Sequence, residues 1–141
     1  MAVTINPDNY IRKAIYDRIN DIVVDAKTIK CFDSRANNTP LNYVLLTSQT
    51  KEVDKSNKCE YRWESTILIE IYTKTTSSGN TGSRVLLANI EQAVYSLLLP
   101  ALVVENFDTL NQSITFENQL ETVTDTDIIF RSFLRLNLTL I

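Results

Sequence analysis

The sequence predicts an α+β domain: an antiparallel sheet of two long hairpins plus a short strand, with two helices packed on one face. Three observations carry this expectation. Along Cys59 to Thr73, Cys59, Tyr61, Trp63, Ile67, Ile69 and Ile71 alternate with Glu60, Arg62, Glu64, Thr66 and Glu70. Successive strand side chains point to opposite faces, so this is a strand with one face in the core and the other in water. Two other stretches carry apolar residues at three- and four-residue steps, the period of a helix with one buried stripe. The order helix, short strand, hairpin, helix, hairpin is then most economically solved by helices lying on one side of an antiparallel sheet.

The long strand is unusual for its length. Fifteen residues at the usual rise would span roughly 45 Å, and a compact chain of this size should be nearly 40 Å across, to order of magnitude. Extension beyond the body is expected, because a partner strand of similar length precedes it. We therefore read residues 1–141 as a single α+β domain with an extended hairpin at about 43–73.

The first helix starts at Asn6-Pro7-Asp8: Asn6 can cap, Pro7 suits the first helical position, and Asp8 complements the positive helix end. Ile11, Ala14, Ile15, Arg18, Ile19 and Ile22 follow one another along one face, which carries the helix to about Val23. Thr28 to Phe32 is a short strand, and residues 33–40 favour turns and local side-chain hydrogen bonds. Tyr43 to Val53 begins with YVLL, apolar on both faces, and ends polar. Asp54-Lys55-Ser56-Asn57-Lys58 turns the chain into the long strand, giving a hairpin with a charged tip. Residues 74–82 are a flexible link. Ser83 caps the second helix, with Val85, Leu86, Ile90, Ala93, Val94, Leu97 and Leu98 inward, and Pro100 helps to end it. The connector 101–108 packs through Leu102, Val103, Val104 and Phe107. Ser113 to Val123 is a weakly patterned strand, Thr124-Asp125-Thr126-Asp127 a turn, and Ile128 to Ile141 a final long strand with Phe130, Leu134, Leu136, Leu138 and Leu140 on one face.

Composition excludes several functions. The chain has 141 residues, 44% apolar and 22% charged, as expected of one soluble globular domain with a real core. Its 14 basic and 17 acidic residues give a net charge of −3 and no basic run, which argues against binding nucleic acid through a basic face. No apolar stretch approaches the ~20 residues of a membrane helix. The N-terminus lacks the pattern of a signal peptide, so a cytoplasmic site of synthesis and use is expected. There is no histidine, which removes a Ser-His-Asp triad, a Cys-His pair and any His-ligated metal. Cys31 and Cys59 cannot make a structural zinc site within one chain. They are expected to be buried free thiols, the alternative being a pair on neighbouring strands. No catalytic residue, cofactor or metal is expected, and the chain is read as a non-enzyme.

What remains are charged and aromatic candidates for contacts. Asp125 and Asp127 suit a solvated turn better than metal binding or acid–base work. Gly79 to Arg84 opens a helix like a phosphate loop but lacks that loop's lysine, so a linker with a Ser cap is the better reading. Trp63 lies on the apolar side of the long strand, as a core residue or as an interface anchor. Arg62, Arg131 and Arg135 fall on the polar faces of two long strands, where they could pair with Glu60, Glu64 or Glu70 across a subunit boundary.

Taken together, the capped first helix, the segment Lys30 to Ala36, the stretch Thr39-Pro40-Leu41-Asn42-Tyr43-Val44-Leu45-Leu46, a long strand, a second helix and a final hairpin resemble the tail terminator and neck (head–tail joining) ring proteins of tailed bacteriophages. The best local match is Phe32 to Leu46. The resemblance implies a structural protein of the virion, located in its tail or neck and assembled in the host cytoplasm. It further implies a homo-oligomeric ring of about six or twelve subunits that joins or caps the tail, with portal, neck or tail proteins as partners and no membrane. On that reading Arg62, Trp63, Glu64, Glu70, Arg131 and Arg135 would lie at subunit interfaces. An acidic lumen that lets DNA slide would draw on Glu117, Glu121, Asp125 and Asp127. A monomeric or dimeric adaptor or assembly chaperone without catalytic activity is the alternative.

Overall fold

The computed structural model describes residues 5–33, 40–55, 61–76 and 84–141. Its elements are α1 (Asp8–Ile19), β1 (Ile22–Val24), β2 (Lys27–Phe32), β3 (Asn42–Asp54), β4 (Arg62–Thr76), α2 (Arg84–Leu98), β5 (Thr109–Val123) and β6 (Asp127–Leu140). The six strands form one sheet in the order β1-β2-β3-β4-β6-β5.

This overturns the expected antiparallel sheet of two hairpins and a short strand. The sheet is mixed and curls into a half-barrel. β2 runs parallel to β3, with Lys30, Cys31 and Phe32 opposite Tyr43, Val44 and Leu45. The physical reason is visible in YVLL: Tyr43, Val44, Leu45 and Leu46 are all buried, so this part of β3 has both faces covered, as parallel strands usually do. The other change is an added edge strand. α1 stops at Ile19 and not near Val23, because Asn20 turns extended and Asp21 takes φ 60°. Ile22, which continues the helical period in sequence, instead opens β1 and pairs with Ile29.

The β1–β2 connection carries none of the usual sequence marks of a hairpin turn. Val24 pairs with Lys27, leaving Asp25 and Ala26 as a two-residue loop with φ of 50° and 62°. Two positive φ values are the mark of a type I′ turn, which normally takes glycine at the second position. Ala26 holds a left-handed conformation that costs a residue with a Cβ roughly 1–2 kcal/mol. Ala26→Gly is therefore expected to stabilise the protein by about 0.5–1 kcal/mol, read as a raised midpoint in urea unfolding.

β4 lies in the middle of the sheet. Its register with β6 runs unbroken from Trp63 opposite Leu140 to Thr76 opposite Asp127, and β3 pairs along its other side. The strand begins at Arg62; the expected start at Cys59, with Glu60 and the turn residues 56–58, lies outside the described residues. So do most of the 33–40 loop, the 77–83 link with its glycines, and the Ser83 cap. Ser65, Ile67, Ile69, Ile71 and Thr73 of β4 face the helices, as do the even-numbered residues from Phe130 to Leu140 of β6. They meet Ile11, Ile15 and Ile19 of α1 and Leu86, Leu87, Ile90, Val94 and Leu98 of α2 in one core. Contrary to expectation, Val85 is 70% exposed and Val103 84% exposed.

Two arginines tie the helices to the rest. Arg18 of α1 donates to the carbonyl of Leu97, which the end of α2 leaves without a helical partner, and to those of Pro100 and Ala101 just beyond it. Arg12 reaches the irregularity in β3 between Leu46 and Gln49. Its Nε donates to Gln49 Oε1 at 2.7 Å, Nη2 to the Thr47 carbonyl at 2.8 Å, and Nη1 to Asp33 Oδ1 at 2.6 Å and to the Leu46 carbonyl at 3.4 Å. One guanidinium thus fixes α1 to a bulge and to the end of β2.

Candidate functional site

The surface that remains is the sheet face turned away from the helices. Alternation places there Tyr43, Leu45, Thr50 and Glu52 of β3, and Arg62, Glu64, Thr66, Leu68, Glu70 and Tyr72 of β4. β6 adds Arg131, Phe133, Arg135, Asn137 and Thr139, and β5 adds Asn111, Ser113, Thr115 and Glu117. Register orders them in rows across four strands. Tyr43, Tyr72, Arg131 and Leu120 form one row; Leu45, Glu70, Phe133 and Glu117 the next; Thr50, Thr66, Asn137 and Ser113 another; and Glu52, Glu64, Thr139 and Asn111 the last.

The two ends of this face differ chemically. One is aromatic: Tyr43 and Tyr72 stack at 4.7 Å between ring centroids, and Phe32 meets Tyr43 edge-on at 5.7 Å. Beside them, Leu68, Glu117, Asn118, Leu120 and Phe133 line an open hollow of about 570 Å³. The other end is a hydroxyl and amide lattice. Thr50 and Thr66 share a hydrogen bond of 2.6 Å, Asn137 donates to Ser113 and Thr115, and Thr139 donates to Glu64 at 2.9 Å. Glu52 stands directly opposite Glu64, two exposed like charges that disfavour each other.

The residues expected at subunit boundaries are partly brought together, and within one chain. Arg131 Nη1 lies 3.4 Å from Glu70 Oε1, and its guanidinium sits 5.9 Å from the Phe133 ring centre. Arg135 Nε donates to Glu117 Oε1 at 2.9 Å and Nη1 to Thr66 at 3.4 Å. Arg62 is apart from these, at the tip end of β4 opposite Asp54, with its Nε buried and without a hydrogen-bond partner. Trp63 points the other way, towards the helices, packed on the core opposite Val53 and Leu140.

The four acids expected to line a lumen do not share one face. An irregularity in β5 between Glu117 and Leu120 switches the side to which its residues point. Glu117 therefore meets Arg135 on the outer face, while Glu121 pairs with Arg84 at the start of α2, at 2.7 Å. Asp127 pairs with Lys74 at 3.2 Å, and Asp125 is exposed in the turn. Sequence patterning missed the Arg135–Glu117 contact because nothing in Glu117-Asn118-Gln119-Leu120 announces the bulge. It missed the Glu52–Glu64 apposition because that depends on the β3 bulge setting the register.

Among the described residues, no three His, Cys, Asp or Glu side chains are grouped to hold a metal. Cys31 is a buried free thiol, and burial, with Asp33 nearby, pushes its pKa up to about 12, far from the thiolate a nucleophile needs. Cys59 lies outside the described residues.

At the level of sequence, no family model and no curated protein matches the chain. Among solved structures it is similar to a chain of the virion of a native gene transfer agent particle. The identity is 13%, the TM-score 0.63, and the match covers 94% of this chain and 97% of that one. At that identity the likeness is one of fold, and it spans both chains almost completely.

Proposed function

We propose that the protein is a structural component of a tailed-phage-like particle, forming a ring that caps the tail or joins it to the head. The observation that carries this reading is the fold shared, nearly end to end, with a chain of a gene transfer agent virion. The order of helices and long strands that resembles tail terminator and neck ring proteins agrees with it. The rings contain about six or twelve copies, and their partners are portal, neck or tail proteins.

The outer sheet face supplies the contacts. Arg131 and Arg135 hold Glu70 and Glu117 in place, so these pairs fix the side chains that the curved face presents to a neighbour. Arg62 and Glu64 stand at the end of β4 where Glu52 and Glu64 repel, with Trp63 beside them on the helix side of the strand, and a neighbour's cation placed there would relieve that repulsion. Glu117, Glu121, Asp125 and Asp127 belong to the β5–β6 end of the subunit; when that end faces the lumen, Asp125 contributes the charge not already compensated within the chain.

Native mass spectrometry of the wild type and two charge reversals tests this. The wild type is expected to show a closed species of six or twelve subunits. Arg62→Glu should shift the distribution to monomers with an unchanged circular dichroism spectrum. Arg135→Glu should lower the unfolding midpoint as well, because it sets a carboxylate against Glu117 within the same chain. Assembly of Arg62→Glu to the wild-type extent would remove Arg62 from the interface.

A further inference from the structure

β5 is the last strand of the sheet. It has fifteen residues, and among the described residues it pairs with β6 alone. A row of backbone donors and acceptors along such an edge is a template for another strand. Natural edges are commonly protected by lysine, proline, shortness or bulges. β5 contains no lysine, arginine, proline or glycine, and its two irregularities fall between Thr109 and Asn111 and between Glu117 and Leu120. Between them, Asn111 to Glu117 runs in regular register. Apolar side chains stand exposed along the same strand: Leu110 is 49% exposed, Phe116 49% and Leu120 46%.

We infer that this edge pairs with the same edge of a second copy of the chain, antiparallel and about a two-fold axis through Ile114. The regular segment is centred on Ile114, so the register that uses all of it sets Ile114 against Ile114, Ser113 against Thr115, Gln112 against Phe116 and Asn111 against Glu117. No like charges meet in that register. The only charge in the segment, Glu117, is held by Arg135 of its own chain and faces a neutral amide. On the helix side, Ile114 packs on Ile114, and the half-exposed Phe116, already against Tyr95 with ring centres 5.2 Å apart, gains the stem of Gln112. On the outer face, Ser113 and Thr115 continue the hydroxyl lattice across the axis.

The opposite edge of the sheet cannot take this part. β1 has only three residues, Ile22–Val24, flanked by Asp21 and Asp25, so a head-to-tail continuation would leave most of β5 bare. A two-fold contact joins copies in pairs and does not itself close a ring. It would unite two rings or precede them, and it rests on the sheet edge alone, independent of the virion reading.

Cysteine cross-linking tests the axis. In a Cys59→Ser background, Ile114→Cys should oxidise to a reducible disulfide dimer in more than about half of the chains, since directly opposed strand positions lie within disulfide reach. Thr122→Cys, beyond the second irregularity, should remain monomeric on the same gel. Because Ile114 also touches the core, a mixture of Ser113→Cys and Thr115→Cys chains provides the same readout from the outer face and should give the mixed disulfide. The double variant Ser113→Lys, Thr115→Lys opposes lysine to lysine twice and should weaken dimerisation at least about tenfold in sedimentation velocity. The inference is overturned if folded Ile114→Cys and the Ser113/Thr115 mixture cross-link no better than Thr122→Cys. Capture of a foreign protein by Ile114→Cys in place of its own copy would overturn it too.

Discussion

Ile69→Ala is expected to destabilise the protein by about 3–4 kcal/mol, a large share of the roughly 5–15 kcal/mol that holds a typical domain together. Ile69 is fully buried at the middle of the central strand, with Leu46 of β3 on one side and Leu134 of β6 on the other. Removing its side chain empties a volume bounded by two strands that are hydrogen-bonded to β4 and by the helices above. Such a site collapses poorly, which places the cost at the upper part of the usual range. Leu134→Ala should cost a similar amount. The double variant should cost measurably less than the sum, because the two side chains border one cavity. Urea unfolding monitored by circular dichroism checks both statements. A cost below about 1 kcal/mol for Ile69→Ala would mean that β4 is not central.

Arg12→Ala should cost about 2–3 kcal/mol, although Arg12 is a charged residue on a surface helix. Its side chain is 22% exposed, and its guanidinium serves the Leu46 and Thr47 carbonyls at the β3 bulge, Gln49, and Asp33 at the end of β2. Alanine leaves part-buried carbonyls to find water in a crowded place. An ammonium has no planar fork and cannot serve four directions, so Arg12→Lys should recover less than half of the loss. The ion pair with Asp33 alone is exposed on its acid side and contributes little. Asp33→Ala should accordingly cost under about 1 kcal/mol, which separates the salt bridge from the backbone contacts.

How much of this was legible in the sequence varied with the range of the interactions involved. The alternation Ile67, Ile69, Ile71 and the even-numbered leucines of β6 identify strands because one face of each is buried and the period of two is strict. Ile11, Ile15 and Ile19 identify α1 for the corresponding reason. Ile22 misled, because it keeps the helical spacing; the left-handed Asp21 that ends the helix has no signature of its own. Asp25-Ala26 makes a hairpin turn without the glycine that would advertise one. The parallel pairing of β2 and β3 is a long-range choice, hinted at by YVLL being apolar on both faces and decided by packing. On the outer face, the arginines and glutamates were identifiable as a set. Which of them meet was not, because two bulges, in β3 and β5, set the facing of the residues beyond them. Arg135 meets Glu117 across the β5–β6 register that the second bulge sets, while Arg131 meets Glu70 across the unbroken β4–β6 register.

Quantitative mass spectrometry of purified particles from a lysate that contains this protein tests the virion assignment most directly. The chain is expected to co-purify with intact tailed particles at a fixed copy number, six or twelve for each portal. Complete particles that lack the chain, with the protein left in the soluble fraction, would contradict it.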